Sequence, residues 1–170
     1  GAIMKPSSGL LEVDGENIVS LSDFHLSEYR AYSIGFVTQS FHLFDMLSVK
    51  ENVIAPLLLN NLTQKEMLEL TEKAMLKAEI LHKSNQVVST LSGGEKQRCM
   101  IARALVNNPK IILCDEPTAN LDKQNSLKFI EIVKQLKESG KTIVIATHDP
   151  LISELELVDK IIRIDEGKIE

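Results

Sequence analysis

Beyond Asn85 the chain alternates buried strands with amphipathic helices, and this alternation constrains the fold more than any other feature. A helix is predicted from Gly93 to Val106, broken by Asn107-Asn108-Pro109. Lys110 to Cys114 reads as a continuous apolar strand of the kind buried in parallel sheets. Asp122 can cap a helix carrying Leu127, Ile130, Val133 and Leu136, which stops near Gly140. Thr142 to Thr147 follows as a second buried strand, Pro150 to Leu157 as a short helix, and Lys160 to Asp165 as a last strand. Strands and helices in strict alternation imply an α/β core around a parallel sheet.

The preceding half differs. Its first forty residues read as strands: Leu10 to Val13, an Asp14-Gly15 turn, Asn17 to Val19, then Ser33 to Thr38. Six of the seven aromatics (Phe24, Tyr29, Tyr32, Phe36, Phe41, Phe44) lie between positions 24 and 44 and are expected to pack together. A base-stacking platform would need basic residues around them, and these are missing. From position 48 the pattern turns helical, with two S/T-x-x-E capping boxes, Ser48 to Glu51 and Thr63 to Glu66. Met67, Leu70, Ala74, Ala78 and Leu81 then share one helical face, the apolar stripe of a helical lobe of about forty residues.

Composition narrows the function classes. Lys plus Arg number 19 against 24 Asp plus Glu, a net charge of −5, which disfavours nucleic-acid binding by bulk charge. The longest apolar run, Val53 to Leu59, is seven residues with Pro56 inside it, far short of the roughly 20 that a spanning helix needs. Cys99 and Cys114 cannot build a disulfide framework and read as two small buried hydrophobes in a reducing compartment.

Three segments and one separate glutamine carry chemistry. In Leu91-Ser92-Gly93-Gly94-Glu95, Ser92 and Glu95 have capping-box spacing, but that leaves two glycines in a helix's first turn unexplained. Glycines there let an anion approach backbone N–H groups at the positive end of the helix dipole. Asp115 and Glu116 end the strand that begins at Ile111, at the sheet edge where open α/β folds bind ligands. One acid there can hold Mg²⁺ and its neighbour can deprotonate a water, although two acids at a strand end also suit a solvated turn. His148 follows the Thr142 to Thr147 strand and can reach the same edge, where it suits a phosphate or an attacking water; a lone histidine is also commonly structural. Gln39, after Phe36-Val37-Thr38, offers an amide to a metal or water.

Together these motifs resemble the ATP-binding-cassette (ABC) ATPases from about Ser8 to Gly167, with details most similar to the lipoprotein-release, macrolide-export and bacteriocin-export cassettes. The resemblance implies a P-loop NTPase-like fold with a helical subdomain. It makes Leu91 to Glu95 the signature motif, Ile111 to Glu116 the Walker B strand, Ala119 to Asp122 the D-loop, His148 the switch histidine and Gln39 the Q-loop glutamine. By the same resemblance Glu116, His148 and Gln39 are catalytic and Asp115 with Gln39 holds Mg²⁺. Ser92, Gly93, Gly94, Glu95 and Asp122 bind ATP, the first three acting in trans across a cassette dimer. The implied partners are a second cassette and a transmembrane permease at the inner face of the cell membrane, with no nucleic acid. The expected parts are a strand-rich segment with the Q-loop (about 10–47), the helical subdomain (about 48–90) and a signature-to-switch segment (about 91–170).

The printed sequence has no G-x-x-x-x-G-K-[ST] P-loop. Its one Gly-Lys-Thr, Gly140-Lys141-Thr142, has Gln at position 135 and joins a helix to a strand, the reverse order; it reads as a helix end and a strand start. Lys5 to Gly9 matches the stretch that follows the P-loop helix in the family, so the sequence is expected to begin just past that helix, at Gly1-Ala2-Ile3-Met4. Weak or absent ATP binding is expected for these 170 residues alone, and self-association through sheet edges that lack partners. The alternative is a non-catalytic module offering its signature face to an intact cassette. Soluble DNA-repair cassettes are disfavoured, because only 53 positions separate Gln39 from Ser92 and no cysteine lies between them.

Overall fold

Asp14 and Gly15 both take positive φ (53° and 78°), closing the turn between β1 (Glu12–Val13) and β2 (Glu16–Asn17) as their sequence signals. These strands open the computed structural model, which describes residues 2–4 and 6–169. The second strand is shorter than expected, because the Asn17 side chain accepts from Val19 N–H and caps a 3₁₀ turn at Ile18–Ser20.

The larger departure is α1 (Asp23–Ser33), a helix where the sequence reads as strands and loops. Ser22 caps it by accepting from His25 N–H, and it runs directly into β3 (Ile34–Val37). The aromatics expected to pack together are instead dispersed. Phe24 and Tyr32 on α1 are 70% and 48% exposed and Phe44 is 57% exposed, whereas Tyr29 packs on Ile18 and Leu26 and Phe41 on the main core.

Both predicted capping boxes form, starting α2 (Val49–Ile54) and α3 (Gln64–Lys77), with a 3₁₀ segment at Ala55–Leu59 between them. The remaining elements are α4 (Gly93–Leu105), β4 (Ile111–Asp115), α5 (Lys123–Glu138), β5 (Thr142–Ala146), α6 (Pro150–Ser153), β6 (Ile164–Asp165) and β7 (Lys168–Ile169). On α5 the buried stripe is Phe129, Ile132, Val133 and Leu136; of the apolar residues singled out in the sequence, Leu127 is 50% exposed.

The expected parallel sheet is present in the order β3-β4-β5. Register aligns Val37, Cys114 and Ile145 in one row and Gly35, Ile112 and Ile143 in another. Strand alternation turns both rows to the face where Ile101, Leu105, Phe129, Ile132 and Leu136 from α4 and α5 complete the core. The same core continues into the helical segment through Met100, Cys99, Val53, Leu57 and Met75. At Gly35 an added Cβ would lie 2.6 Å from the Ala104 carbonyl oxygen, so glycine lets β3 meet the α4 backbone.

The opposite face is thinly covered. The row Phe36, Leu113, Val144 lies there, and Val144 is 54% exposed. The predicted last strand does not join this sheet: β6 pairs antiparallel with β7 around Glu166-Gly167, and Ile161, Ile162 and Ile164 are exposed. Among the described residues no helix is long and apolar enough to cross a membrane.

Candidate functional site

Parallel strands deliver their C-terminal residues to one edge, and β3, β4 and β5 bring Gln39, Asp115, Glu116 and His148 there. The ladder continues one step past the strands, since Glu116 N–H donates to the Ala146 carbonyl (2.9 Å). Glu116 then takes φ +43°, a left-handed conformation that costs a non-glycine residue on the order of 1 kcal/mol or more. That kink accompanies a carboxylate bonded to the neighbouring loop at both oxygens. Oε1 pairs with His148 Nδ1 at 2.7 Å and Oε2 accepts from Thr147 Oγ1 at 3.1 Å. The His148 bond, with Thr147 assisting, lowers the Glu116 pKa, while Glu116 raises that of His148. Glu116 is therefore an ionised acceptor at neutral pH, and the outer ring nitrogen of His148 is left at the surface of a side chain that is 84% exposed.

Asp115 and Gln39 are exposed at the same edge. Asp115 is the last residue of β4, and Gln39 lies two residues past Val37, the last residue of the paired strand β3. Among the described residues no group of three or more His, Cys, Asp or Glu is arranged around a metal position. An exposed carboxylate and an exposed amide at one sheet edge nonetheless suit Mg²⁺ chemically, since that ion uses hard oxygen donors and usually takes one or two from protein, filling the rest with phosphates and water.

Ser92, Gly93, Gly94 and Glu95 begin α4. Ser92 Oγ accepts from Glu95 N–H (3.4 Å), and Glu95 Oε2 accepts from Ser92 N–H and Oγ (both 2.8 Å). Glu95 Oε1 meets Lys83 Nζ at 3.1 Å. The Ser92 backbone bond, then its hydroxyl and Lys83, hold the Glu95 carboxyl down at about 2. Glu95 thus turns back onto its own helix end.

The two glycines differ. Gly93 is exposed, and a Cβ there would meet only the Asn120 carbonyl at 3.6 Å. Gly94 is buried, and a Cβ there would collide with the Asn125 side-chain amide. A side chain at Gly94 would have to displace the Asn125 amide of α5, so packing disfavours one there, whereas exposed Gly93 leaves room for the ligand approach that the sequence suggests for both. Asn125 is held by Asp122, which caps α5: its N–H donates to Asp122 Oδ1 (2.8 Å) and its Nδ2 reaches both Asp122 oxygens. That backbone bond is the main cause of the lowered Asp122 pKa.

Residues without an obvious sequence signal join the two clusters. Gln97, 2% exposed, donates from Nε2 to the Pro117 carbonyl at 2.5 Å and ties α4 to the loop after Glu116. Asn120 Nδ2 donates to the Gln39 carbonyl (3.2 Å), linking the loop after β4 to the one after β3. Arg103 donates to the Phe41 and His42 carbonyls (3.0 and 2.6 Å). Buried Asn52 accepts from Phe44 N–H (2.8 Å) and donates to the Phe44 and Ser48 carbonyls (3.1 and 3.0 Å). The loop it holds presents Phe44, Met46 and Leu47 outward, 57%, 84% and 38% exposed.

This geometry has close relatives. The ABC transporter family model matches residues 2–119. The chain is 39% identical over 169 residues to the ABC transporter ATP-binding protein YknY of Bacillus subtilis, covering 99% of this chain and 73% of that protein. It is 38% identical over 173 residues to the lipoprotein-releasing system ATP-binding protein LolD of Pseudoalteromonas translucida, covering 99% and 72%. Among solved structures, the ATP-binding cassette MJ0796, dimeric and bound to ADP and Pi, superposes with a TM-score of 0.78 at 37% identity, over 87% of this chain. The chain spans 66% of that cassette's length. A matching family model over most of the chain, near 40% identity and a shared fold place it in the ABC transporter family, as an ATP-binding cassette.

Proposed function

We propose that these residues belong to the ATP-hydrolysing subunit of a membrane transporter, with Glu116 as the base and His148 as its partner. The observation that carries this is the 2.7 Å Glu116–His148 pair at the C-terminal edge of β4 and β5, one residue from Asp115. Glu116, kept ionised, accepts a proton from the water that attacks the γ-phosphate. His148 spends one ring nitrogen on Glu116 and offers the other to the phosphate, where a raised pKa favours the donating, protonated form. Asp115 and Gln39 would hold Mg²⁺, which neutralises charge on the transferring phosphoryl group. Gln39 also positions the water.

Ser92 and exposed Gly93 act on the γ-phosphate held by a second cassette, with Gly94 and Glu95 shaping that helix end and Asp122 holding the adjoining loop. A permease docks on the helical subdomain (about 48–90) and on the loop of Phe44, Met46 and Leu47, whose exposed apolar side chains support such a partner. The strand-rich segment (about 10–47) and the signature-to-switch segment (about 91–170) complete the cassette, at the cytoplasmic face of the membrane. These 170 residues by themselves, carrying no P-loop motif, hold ATP weakly or not at all. Calorimetric titration with Mg-ATP tests that last point, and tight binding would refute it. For the catalytic reading, Glu116→Gln in the full-length protein should abolish steady-state ATP hydrolysis while leaving nucleotide bound; undiminished hydrolysis would refute it.

A further inference from the structure

We infer that Thr118, through Asp149 and Thr147, is a positioning residue that sets the orientation of the Glu116 carboxylate. The inference rests on the catalytic reading of Glu116 for its importance, but its geometry stands alone. Thr118 is 5% exposed and lies two residues past Glu116. Its Oγ1 donates to Asp149 Oδ2 at 2.7 Å. The other Asp149 oxygen accepts from Leu151 N–H at 2.9 Å and caps α6, so the carboxylate is gripped from both sides. With its side chain fixed, Asp149 donates its backbone N–H to Thr147 Oγ1 (3.0 Å). A hydroxyl that accepts there keeps its one proton for another partner. That partner is Glu116 Oε2, at 3.1 Å.

The chain of bonds closes a ring from Thr118 through the β5 loop and back to Glu116, its neighbour but one. Because both carboxylate oxygens meet the 147–148 segment, a displacement of that segment moves Glu116 off His148 as well as off Thr147. The charged groups facing His148 are Glu116 and Asp149. A threonine at position 118 therefore acts on the site without touching substrate, and its hydroxyl rather than its methyl is what matters.

The histidine reports the brace. A carboxylate only accepts, so His148 must carry its proton on Nδ1 when neutral. Long-range ¹H–¹⁵N correlation spectra of the nucleotide-free full-length protein, above the titration of His148, should show this single tautomer, with exposed His82 as the averaged reference. Thr118→Val should collapse the His148 pattern toward that of His82, Thr118→Ala should do the same, and Thr118→Ser should restore the wild-type pattern. Retention of the Nδ1–H tautomer in folded Thr118→Val or Thr118→Ala would overturn the inference, as would a Thr118→Ser spectrum like that of Thr118→Val. Loss of the fold in both Val and Ala variants would overturn it too, since the bond would then be holding the domain rather than one side chain. No nucleotide enters this experiment, so its failure leaves the hydrolytic reading intact, and the failure of that reading leaves the tautomer result intact.

Discussion

Replacing each signature glycine by alanine separates packing from ligand approach. At Gly94 the new methyl meets the Asn125 amide, which Arg98 Nη1 (3.2 Å) and both Asp122 oxygens (3.1 and 3.0 Å) hold in place. Accommodating it means turning that amide and losing one or two of these bonds, each worth about 1 kcal/mol. Overpacking costs about 1–3 kcal/mol, while alanine's better helix propensity returns up to about 1 kcal/mol. The net expectation is a loss of about 1–4 kcal/mol, or about 2–16 °C in Tm for a chain of this size. At Gly93 the methyl makes one ordinary contact at 3.6 Å, so Gly93→Ala should match or slightly exceed wild-type stability. Thermal unfolding followed by circular dichroism, both variants side by side, is the assay. A Gly94→Ala protein as stable as Gly93→Ala would refute the packing argument. If it holds, lost ATP turnover in Gly93→Ala can be assigned to the site, because its fold is spared.

Three further outcomes follow from particular contacts. Glu95 ionises near 2 rather than its ordinary 4.5, so its contribution is complete above about pH 5 and lost as pH falls through 2. Screening of this partly accessible group leaves about 1–2 kcal/mol, so the stability gap between wild type and Glu95→Gln in urea titrations should be flat above pH 5 and close by about pH 2; a gap independent of pH would contradict this. Asn52→Ala should cost about 2–4 kcal/mol, leaving Phe44 N–H and two carbonyls without their partner, and should speed exchange of the Phe44 amide; an unchanged exchange rate would contradict it. The half-covered sheet face at Val144 and the exposed Ile161, Ile162 and Ile164 should give concentration-dependent association of these 170 residues by light scattering, which a monomer at high concentration would exclude.

Much of the core was legible because its signals are local. Apolar runs fix β4 and β5, and capping boxes at Ser48, Thr63 and Ser92 fix three helix starts to the residue. α1 escaped because it buries only Leu26 and exposes Phe24 and Tyr32, leaving no apolar stripe to read; the Ser22 cap and Asp23 in the first turn were its signals. A strand is expected over β6, but its pairing escaped for a different reason: Ile161, Ile162 and Ile164 look like a buried strand, yet burial needs a neighbour and β6 pairs only with β7 among the described residues. At the site, strand-end residues were visible as motifs, whereas Gln97, Thr118 and Asn52 act through partners 20, 31 and 8 positions away. Gly94 shows the same limit, since the neighbour that disfavours a side chain there lies on another helix.

The central claim is that Glu116, oriented by His148 and Thr147, is the base for ATP hydrolysis. Its most direct test is single-turnover hydrolysis of Mg-ATP by the full-length protein and its Glu116→Gln variant, with nucleotide affinity measured in parallel. The account predicts a fall of at least about 10²-fold in the hydrolytic rate with affinity within a few-fold of wild type. A variant that hydrolyses bound ATP at the wild-type rate would contradict it.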